Sequence, residues 1–275
     1  MGWEWAHSYP MTLLLNDKVA IVSGIGPGLG QANAKALARE GATVVLAARS
    51  VDYLARVEAE IKAAGGNAIS VPTNITDRSQ CDALARRAVD EFGRIDILVN
   101  NAFRAGGFTS FENANLEKWK KIHEVNVWGS LDLTQACLGG LKSTAATHGD
   151  ASVVFILSMS QAKIRPDEID YASSKGALRT AVQGLAYELG PLKVRVNAVA
   201  PGWIGGPSVE MYLGWMAQER GVDVSVILEE RHAEIPLREI PPQDDIANSV
   251  VFFASPWSRV ITGQTLDVNG GEYFG

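Results

Sequence analysis

Ser23-Gly24-Ile25-Gly26-Pro27-Gly28-Leu29-Gly30 decides how this chain folds. The apolar, β-branched run Val19–Ser23 that leads into it reads as a strand, and residues from about Gly28 to Glu40 read as a helix stopped by Gly41. Glycines carry no Cβ, so such a turn bends sharply and lets backbone approach an anion. The free N–H groups and positive dipole end of the following helix then face that charge. Pro27 suits the entry because its missing N–H is not needed there. The spacing Gly24-x-x-x-Gly28-x-Gly30 is not the G-x-G-x-x-G fingerprint, so the turn predicts a pyrophosphate cradle only together with its strand-before, helix-after setting.

Outward from the turn, short β-branched runs alternate with longer helical patterns. Strands are expected at Thr43–Ala48, Ala68–Val71, Ile95–Val99, Ser152–Leu157, Val194–Ala198 and Thr265–Val268. Helices are expected at Val51–Ala64, from the cap Asp77 to Phe92, within Leu116–Leu141, at Tyr171–Leu189 and at Asp244–Ala254. Nearly all-apolar strands are buried on both faces, and their alternation with helices gives right-handed crossovers and a parallel sheet. The fold class is therefore α/β: a doubly wound, Rossmann-type domain on a seven-stranded parallel sheet, covering residues 17–275. Residues 203–240 break the rhythm with Trp203, Met211, Tyr212, Trp215 and Met216, and read as a helical substrate lid. Those side chains either line a pocket for an apolar or cyclic substrate or pack the lid and a subunit interface. Residues 1–16 read as an N-terminal arm, because Leu13–Leu15 is too short for a signal-peptide core and Glu4 stands where positive charge belongs.

Composition excludes several classes. The chain of 275 residues is 47% apolar and 20% charged, enough to build one large core and too ordered in composition for disorder. Its net charge is −6 and it has no basic cluster, so no nucleic-acid partner is expected. No apolar run reaches the ~18 residues that span a bilayer, so no membrane partner is expected either. Cys81 and Cys137 fall inside helical patterns with no metal or disulfide spacing, which points to a reducing, cytoplasmic setting. The histidines show no metal spacing, and no metal is expected.

The chemistry centres on Tyr171-Ala-Ser-Ser-Lys175. Positions i and i+4 share a helix face, so a phenol and an ammonium stand one turn apart. Free tyrosine titrates near ~10, and a neighbouring cation favours the phenolate, which would make Tyr171 a usable acid–base group. Ser158, at the end of the fifth strand, is placed to hydrogen-bond a substrate oxygen, and Asn126 stands mid-helix, where asparagine is a poor helix former. At the end of the second strand an acidic residue would bind the ribose 2′-hydroxyl of NAD; here Ala48 is followed by Arg49, whose guanidinium favours a 2′-phosphate and hence NADP. If Arg49 is only a solvated loop residue, NAD is the alternative.

These motifs carry a resemblance. Gly24/Gly28/Gly30, Asn100-Asn101-Ala102, Asn126, Ser158 with Tyr171 and Lys175, and Pro201-Gly202 resemble, in order and spacing, the short-chain dehydrogenase/reductase family over residues 17–275. The resemblance implies an oxidoreductase that passes a hydride between NADP(H) and a carbonyl or secondary alcohol of a small molecule. It makes Tyr171 the acid/base, Lys175 the ribose-binding partner that tunes it, Ser158 the substrate-orienting hydroxyl and Asn126 part of a water-linked proton relay. It gives the cofactor to Gly24, Gly28, Leu29, Gly30, Asn74, Ile75, Asn101, Ala102, Pro201, Gly202 and Ile204, and by motif position Phe103 and Trp203 to the substrate pocket. The family usually reads Asn-Asn-Ala-Gly where Phe103 and Arg104 follow Ala102 here, and carries an Asp at the place of Asn74. The family is usually tetrameric; small residues at Ala172, Gly176, Ala177 and Ala181 and the apolar chain end Gln264–Gly275 predict a homotetramer. A cofactor-binding regulatory protein without catalysis is the competing reading of another class.

Overall fold

Unbroken apolar, β-branched runs become the strands. A computed structural model describes residues 13–275. Its strands are β1 (Val19–Ser23), β2 (Thr43–Ala48), β3 (Asn67–Pro72), β4 (Ile97–Asn100), β5 (Ala151–Ile156), β6 (Val194–Pro201) and β7 (Thr265–Val268). They form one sheet in the order β3-β2-β1-β4-β5-β6-β7, with every neighbouring pair parallel. β1, β4, β5 and β6 are buried along their whole length. The helices are α1 (Leu29–Arg39), α2 (Val51–Ala63), α3 (Arg78–Phe92), α4 (Leu116–His123), α5 (Ser130–His148), α6 (Ile169–Leu189), α7 (Pro207–Arg220), α8 (Val224–Glu234) and α9 (Gln243–Ala254). α1, α2 and α9 bury one face of the sheet around Leu37, Leu54 and Val250, while α3, α5 and α6 bury the other around Leu84, Leu133 and Val182. This is the doubly wound α/β architecture expected from the alternation.

The order of strands reverses between β1 and β4. Side chains and loops beyond the carboxyl ends of these two strands therefore border one crevice, the place where such sheets bind ligands. The glycine turn follows β1 and Asn101-Ala102 follows β4, so both motifs open on it.

Three expectations change in detail. The helix expected within Leu116–Leu141 is two helices joined by a π-helical turn at Glu124–Gly129. Gly129 lets that turn press against Ile75, since a Cβ there would lie 2.9 Å from the Ile75 side chain. Ile95 and Asp96 precede β4 rather than begin it, because the buried Asp96 carboxylate accepts from Val19 N and pairs with Lys18 and Arg94. The arm expected at 1–16 lies outside the described residues up to residue 12. Residues 13–16 pack on the domain, with Leu15 fully buried and its N–H donating to Glu40 O at 2.8 Å. Residues 203–240 fold mainly as α7 and α8 around their own small core of Leu213, Ala217 and Ile227. No helix among the described residues is long and apolar enough to cross a membrane.

Candidate active site

The glycine turn is shaped by what a side chain would strike. A Cβ on Gly24 would lie 2.4 Å from Ala102 Cα, and one on Gly30 would lie 2.2 Å from Gly24 O. Gly28 has φ +122, a conformation that favours glycine, and it gives α1 no side-chain cap; the first turn of α1 holds no acidic residue. The opening N–H groups of α1 are thus left for an anion, and these residues fit the pyrophosphate of a dinucleotide. Leu29 instead turns into the core. Asn101 acts on the turn from β4: its Nδ2 donates to Gly24 O at 2.9 Å and Ser23 O at 3.2 Å, so it braces the cradle from beneath.

Beside the turn lies a cavity of about 460 Å³ that brings Gly24, Arg49, Asn74, Ile75 and Ala102 together. These five residues come from four loops; Gly24 and Arg49 were expected here from the glycine turn and the end of β2, and Asn74, Ile75 and Ala102 only from the family resemblance. Arg49 is exposed at its mouth. Asn74 Oδ1 accepts from Thr76 N and Oγ1, so its side chain serves the local turn. Arg104, Lys121 and Glu124 also border this cavity. Sequence reasoning missed Lys121 and Glu124 because α4 and the π-helical turn reach the crevice only through the fold, and it noted Arg104 only as a departure from the family pattern. A larger groove of about 910 Å³ runs past Lys35, Arg39 and Glu60 on α1 and α2, but it holds none of the acid–base groups, so size does not mark the site.

The acid–base groups meet at the end of β5. Ser158 follows that strand, and α6 carries Tyr171 and Lys175 against it. Lys175 is buried, and its Nζ donates to Ile156 O at 2.7 Å and lies 5.5 Å from the centre of the Tyr171 ring. Burial pushes the Lys175 ammonium down to about 7. Burial also pushes the Tyr171 phenol well above its ordinary value, with the Ser158 hydroxyl pulling it back and the Glu168 carboxylate adding to the rise. The expected lowering of the phenol is thus not found in the protein alone, where desolvation is the largest influence on it.

Asn126 is fully buried in the π-helical turn. Its Oδ1 accepts from Arg104 N at 2.7 Å, and its Nδ2 donates to Arg104 O at 3.1 Å and Ser174 Oγ at 2.9 Å. Both ends of the Asn126 amide thus bind the loop after β4, and its Nδ2 also reaches α6. Asp170, buried and next to Tyr171, clamps the same loop by accepting from Gly107 N at 2.8 Å. Its position beside the tyrosine was the available signal, and it went unread.

Phe103 meets Tyr171 edge-on with ring centres 6.3 Å apart. Both line a cavity of about 210 Å³ with Phe108, Ser160 and Glu168. Trp203 is not part of that lining; its ring is tilted against Tyr212 with centres 5.8 Å apart and lies under Arg165 at 4.8 Å. Pro201 ends β6, and Gly202 permits close packing, since a Cβ there would lie 2.8 Å from Asn269 Cβ. Ile204 packs on the same core as Ile25.

Residues 24–272 match the family described as enoyl-(acyl carrier protein) reductase. The chain is 31% identical over 259 residues to the 7α-hydroxysteroid dehydrogenase of Escherichia coli K12, covering 94% of this chain and 95% of that one. Among solved structures it is similar to L-sorbose reductase from Gluconobacter frateurii complexed with NADPH and L-sorbose, with a TM-score of 0.88 and 28% identity over 95% of this chain and 98% of that one. It is also similar to NAD+-bound xylitol dehydrogenase, with a TM-score of 0.84 and 28% identity over 94% and 99% of the two chains.

Proposed function

The chain belongs to the short-chain dehydrogenase/reductase family and is an oxidoreductase acting on alcohol and carbonyl groups, and on that premise we propose that it uses NADP(H), with Tyr171 as its acid/base, on a small substrate. The observation that carries the catalytic part is the convergence of Ser158, Tyr171 and Lys175 at the carboxyl end of β5, with Tyr171 hydrogen-bonded to Ser158 and its ring 5.5 Å from Lys175 Nζ. The cofactor supplies or accepts the hydride; the protein's part is to bind, orient and move a proton. Gly24, Gly28 and Gly30 cradle the pyrophosphate, Ile75 and Ala102 flank the adenosine, and Lys175 holds the nicotinamide ribose. Pro201, Gly202 and Ile204 stand at the nicotinamide end. Ser158 donates to the substrate oxygen. A phenol kept neutral by burial is the proton donor that carbonyl reduction needs.

NADP(H) is supported by Arg49 at the end of β2, with no carboxylate there, and by Arg104 and Lys121 around the same cavity. The solved neighbours bind NADPH in one case and NAD+ in the other, so NAD(H) is the second reading. A small substrate is supported by the 210 Å³ cavity, whose Phe103 and Phe108 rings give it an apolar side. Trp203, expected in the pocket by motif position, serves as a lid residue in this reading. A homotetramer is supported by β7, which has no partner strand on its outer side among the described residues, and by the 80% exposed Phe274. Cys81 and Cys137, both buried and unpaired, support a cytoplasmic setting. Tyr171→Phe tests the mechanism: turnover, followed by cofactor absorbance at 340 nm, is lost while cofactor affinity is kept. Undiminished turnover would refute it and leave the regulatory-protein reading standing.

A further inference from the structure

The cavity beside Tyr171 is apolar on one side only. Phe103 and Phe108 face a wall formed by Ser160, Glu168 and the Tyr171 phenol. Glu168 occupies the N-cap position of α6, yet its side chain accepts no hydrogen bond from that helix. Its Oε2 accepts from Ser160 Oγ at 3.3 Å, and Ser160 Oγ lies 3.0 Å from Ser158 Oγ. No cation pairs with it among the described residues. The two basic residues nearest before it in sequence, Lys163 and Arg165, are both held by the buried Glu272, at 3.1 and 2.8 Å. A carboxylate has about four acceptor sites. Glu168 therefore keeps most of its accepting capacity, half-buried, in a cavity it shares with Ser160, the Phe103, Phe108 and Tyr171 rings, Ala105 and Gly106.

The helix does not use this carboxylate, and no ion pair neutralises it. Acceptor capacity left unused at a half-enclosed position favours a bound molecule that brings a donor. Its place in the row fixes where that donor sits. Ser158 addresses the oxygen on the reacting carbon, Ser160 is one hydrogen-bond length further on, and Glu168 lies beyond. Two hydrogen-bond lengths thus separate Ser158 from Glu168, and two oxygens on neighbouring carbons span that gap when one meets each side chain. We propose that Glu168 is a specificity-determining residue that accepts a hydrogen bond from a hydroxyl on the carbon next to the reacting one, so that the enzyme selects α-hydroxy ketones and the vicinal diols they are reduced to. The proposal rests on the catalytic reading above, because the hydroxyl is placed relative to the oxygen that Ser158 and Tyr171 address.

Three near-isosteric ketones test it with NADPH: hydroxyacetone, 2-butanone and aminoacetone, which differ in one group on the carbon beside the carbonyl. Wild-type enzyme is expected to reduce hydroxyacetone with the highest kcat/KM. The ratio of hydroxyacetone to 2-butanone is expected to fall about tenfold or more in Glu168→Ala, the loss of one hydrogen bond to a charged group. Glu168→Gln, which keeps the shape and one acceptor, is expected to fall between them and guards against a folding defect in the alanine variant. A ratio unchanged in both variants, a wild type that reduces none of the three, or a wild type that prefers aminoacetone overturns the assignment. Turnover of any of these ketones by Tyr171→Phe marks a failure of the catalytic reading instead, whereas an unchanged ratio with Tyr171→Phe inactive isolates the failure to Glu168.

Discussion

Replacing Lys175 by methionine is expected to inactivate the enzyme and, below neutral pH, to stabilise the protein. Lys175 is 2% exposed, and its ammonium is held down at about 7 against 10.5 when solvated. Between those values the unfolded chain carries a proton that the folded chain lacks, so the wild type gains stability as pH rises through that window. Below about 7 the burial penalty is fully present, and it corresponds to about 5 kcal/mol at most. Methionine has similar length and no charge, so it escapes that penalty. It also strips Ile156 O of the hydrogen bond that Nζ makes at 2.7 Å, which costs about 1–3 kcal/mol. The variant should therefore be about 2–4 kcal/mol more stable than the wild type at pH 6.

That advantage should shrink by about 2–3 kcal/mol by pH 9, or roughly 5–10 °C in the difference of melting temperatures for a chain of this size. The assay is thermal unfolding of both proteins without cofactor at half-unit steps from pH 6 to 9, read by circular dichroism, with chemical denaturation at the two ends. Other titrating groups are common to the two proteins and cancel in the difference. A difference that is flat with pH, or a methionine variant less stable than wild type at pH 6, would show that the ammonium is not desolvated at this site.

The other expectations concern the cofactor and the loop after β4. Arg49→Asp should shift the ratio of kcat/KM for NADPH over NADH toward NADH by about tenfold, the lower end for a charge-assisted hydrogen bond because Arg49 is exposed; an unmoved ratio would retire Arg49 as the phosphate-reading residue. Gly30→Ala puts a Cβ 2.2 Å from Gly24 O, so fluorescence titration should find cofactor affinity at least about tenfold weaker, and native affinity would show that the turn is not the cradle. Asn126→Ala breaks three hydrogen bonds to Arg104 and Ser174 and should cost about 2–4 kcal/mol in urea unfolding; a stability within experimental error of wild type would mean that the loop is held by Asp170 alone.

Seven strands were legible because each is an apolar, β-branched run bounded by turn residues, and parallel strands buried on both faces leave little else for such runs to do. Gly24, Gly30, Ser158, Tyr171 and Lys175 were legible through spacing along the chain. What the sequence hid is what depends on spacing across the fold. Glu168 and Ser160 join one cavity wall only because the segment after β5 folds back before α6 begins. Arg104, in the loop after β4, and Lys121, on α4, border one cavity although they stand 17 residues apart with no common motif. The π-helical turn at Glu124–Gly129 has a local cause, the contact of Gly129 with Ile75, but the neighbour lies on another segment entirely. Lys175 was readable as a partner of Tyr171, whereas the sign of the perturbation depends on burial, which no pattern of residues states.

The departure at Phe103 has a structural counterpart. A phenylalanine where the family usually has glycine pushes bulk toward the tyrosine, and the loop that carries it is fixed at two points. Asn126 grips Arg104 by both its backbone groups, and Asp170 holds Gly107, where a side chain at Gly106 would lie 2.6 Å from the Asp170 carboxylate. Between these clamps Phe103 is held edge-on to Tyr171. Beyond the second, Phe108, at φ +47, stacks on Tyr212 of α7 at 5.9 Å. A bulky residue in the left-handed region is strained, and it persists only where its surroundings fix it. The lid is thereby tied through Phe108 and the loop to the start of α6, the same turn that carries Glu168, Asp170 and Tyr171. α7 therefore meets the cavity wall directly, because Phe108, on which Tyr212 stacks, lines the same cavity as Phe103 and Tyr171.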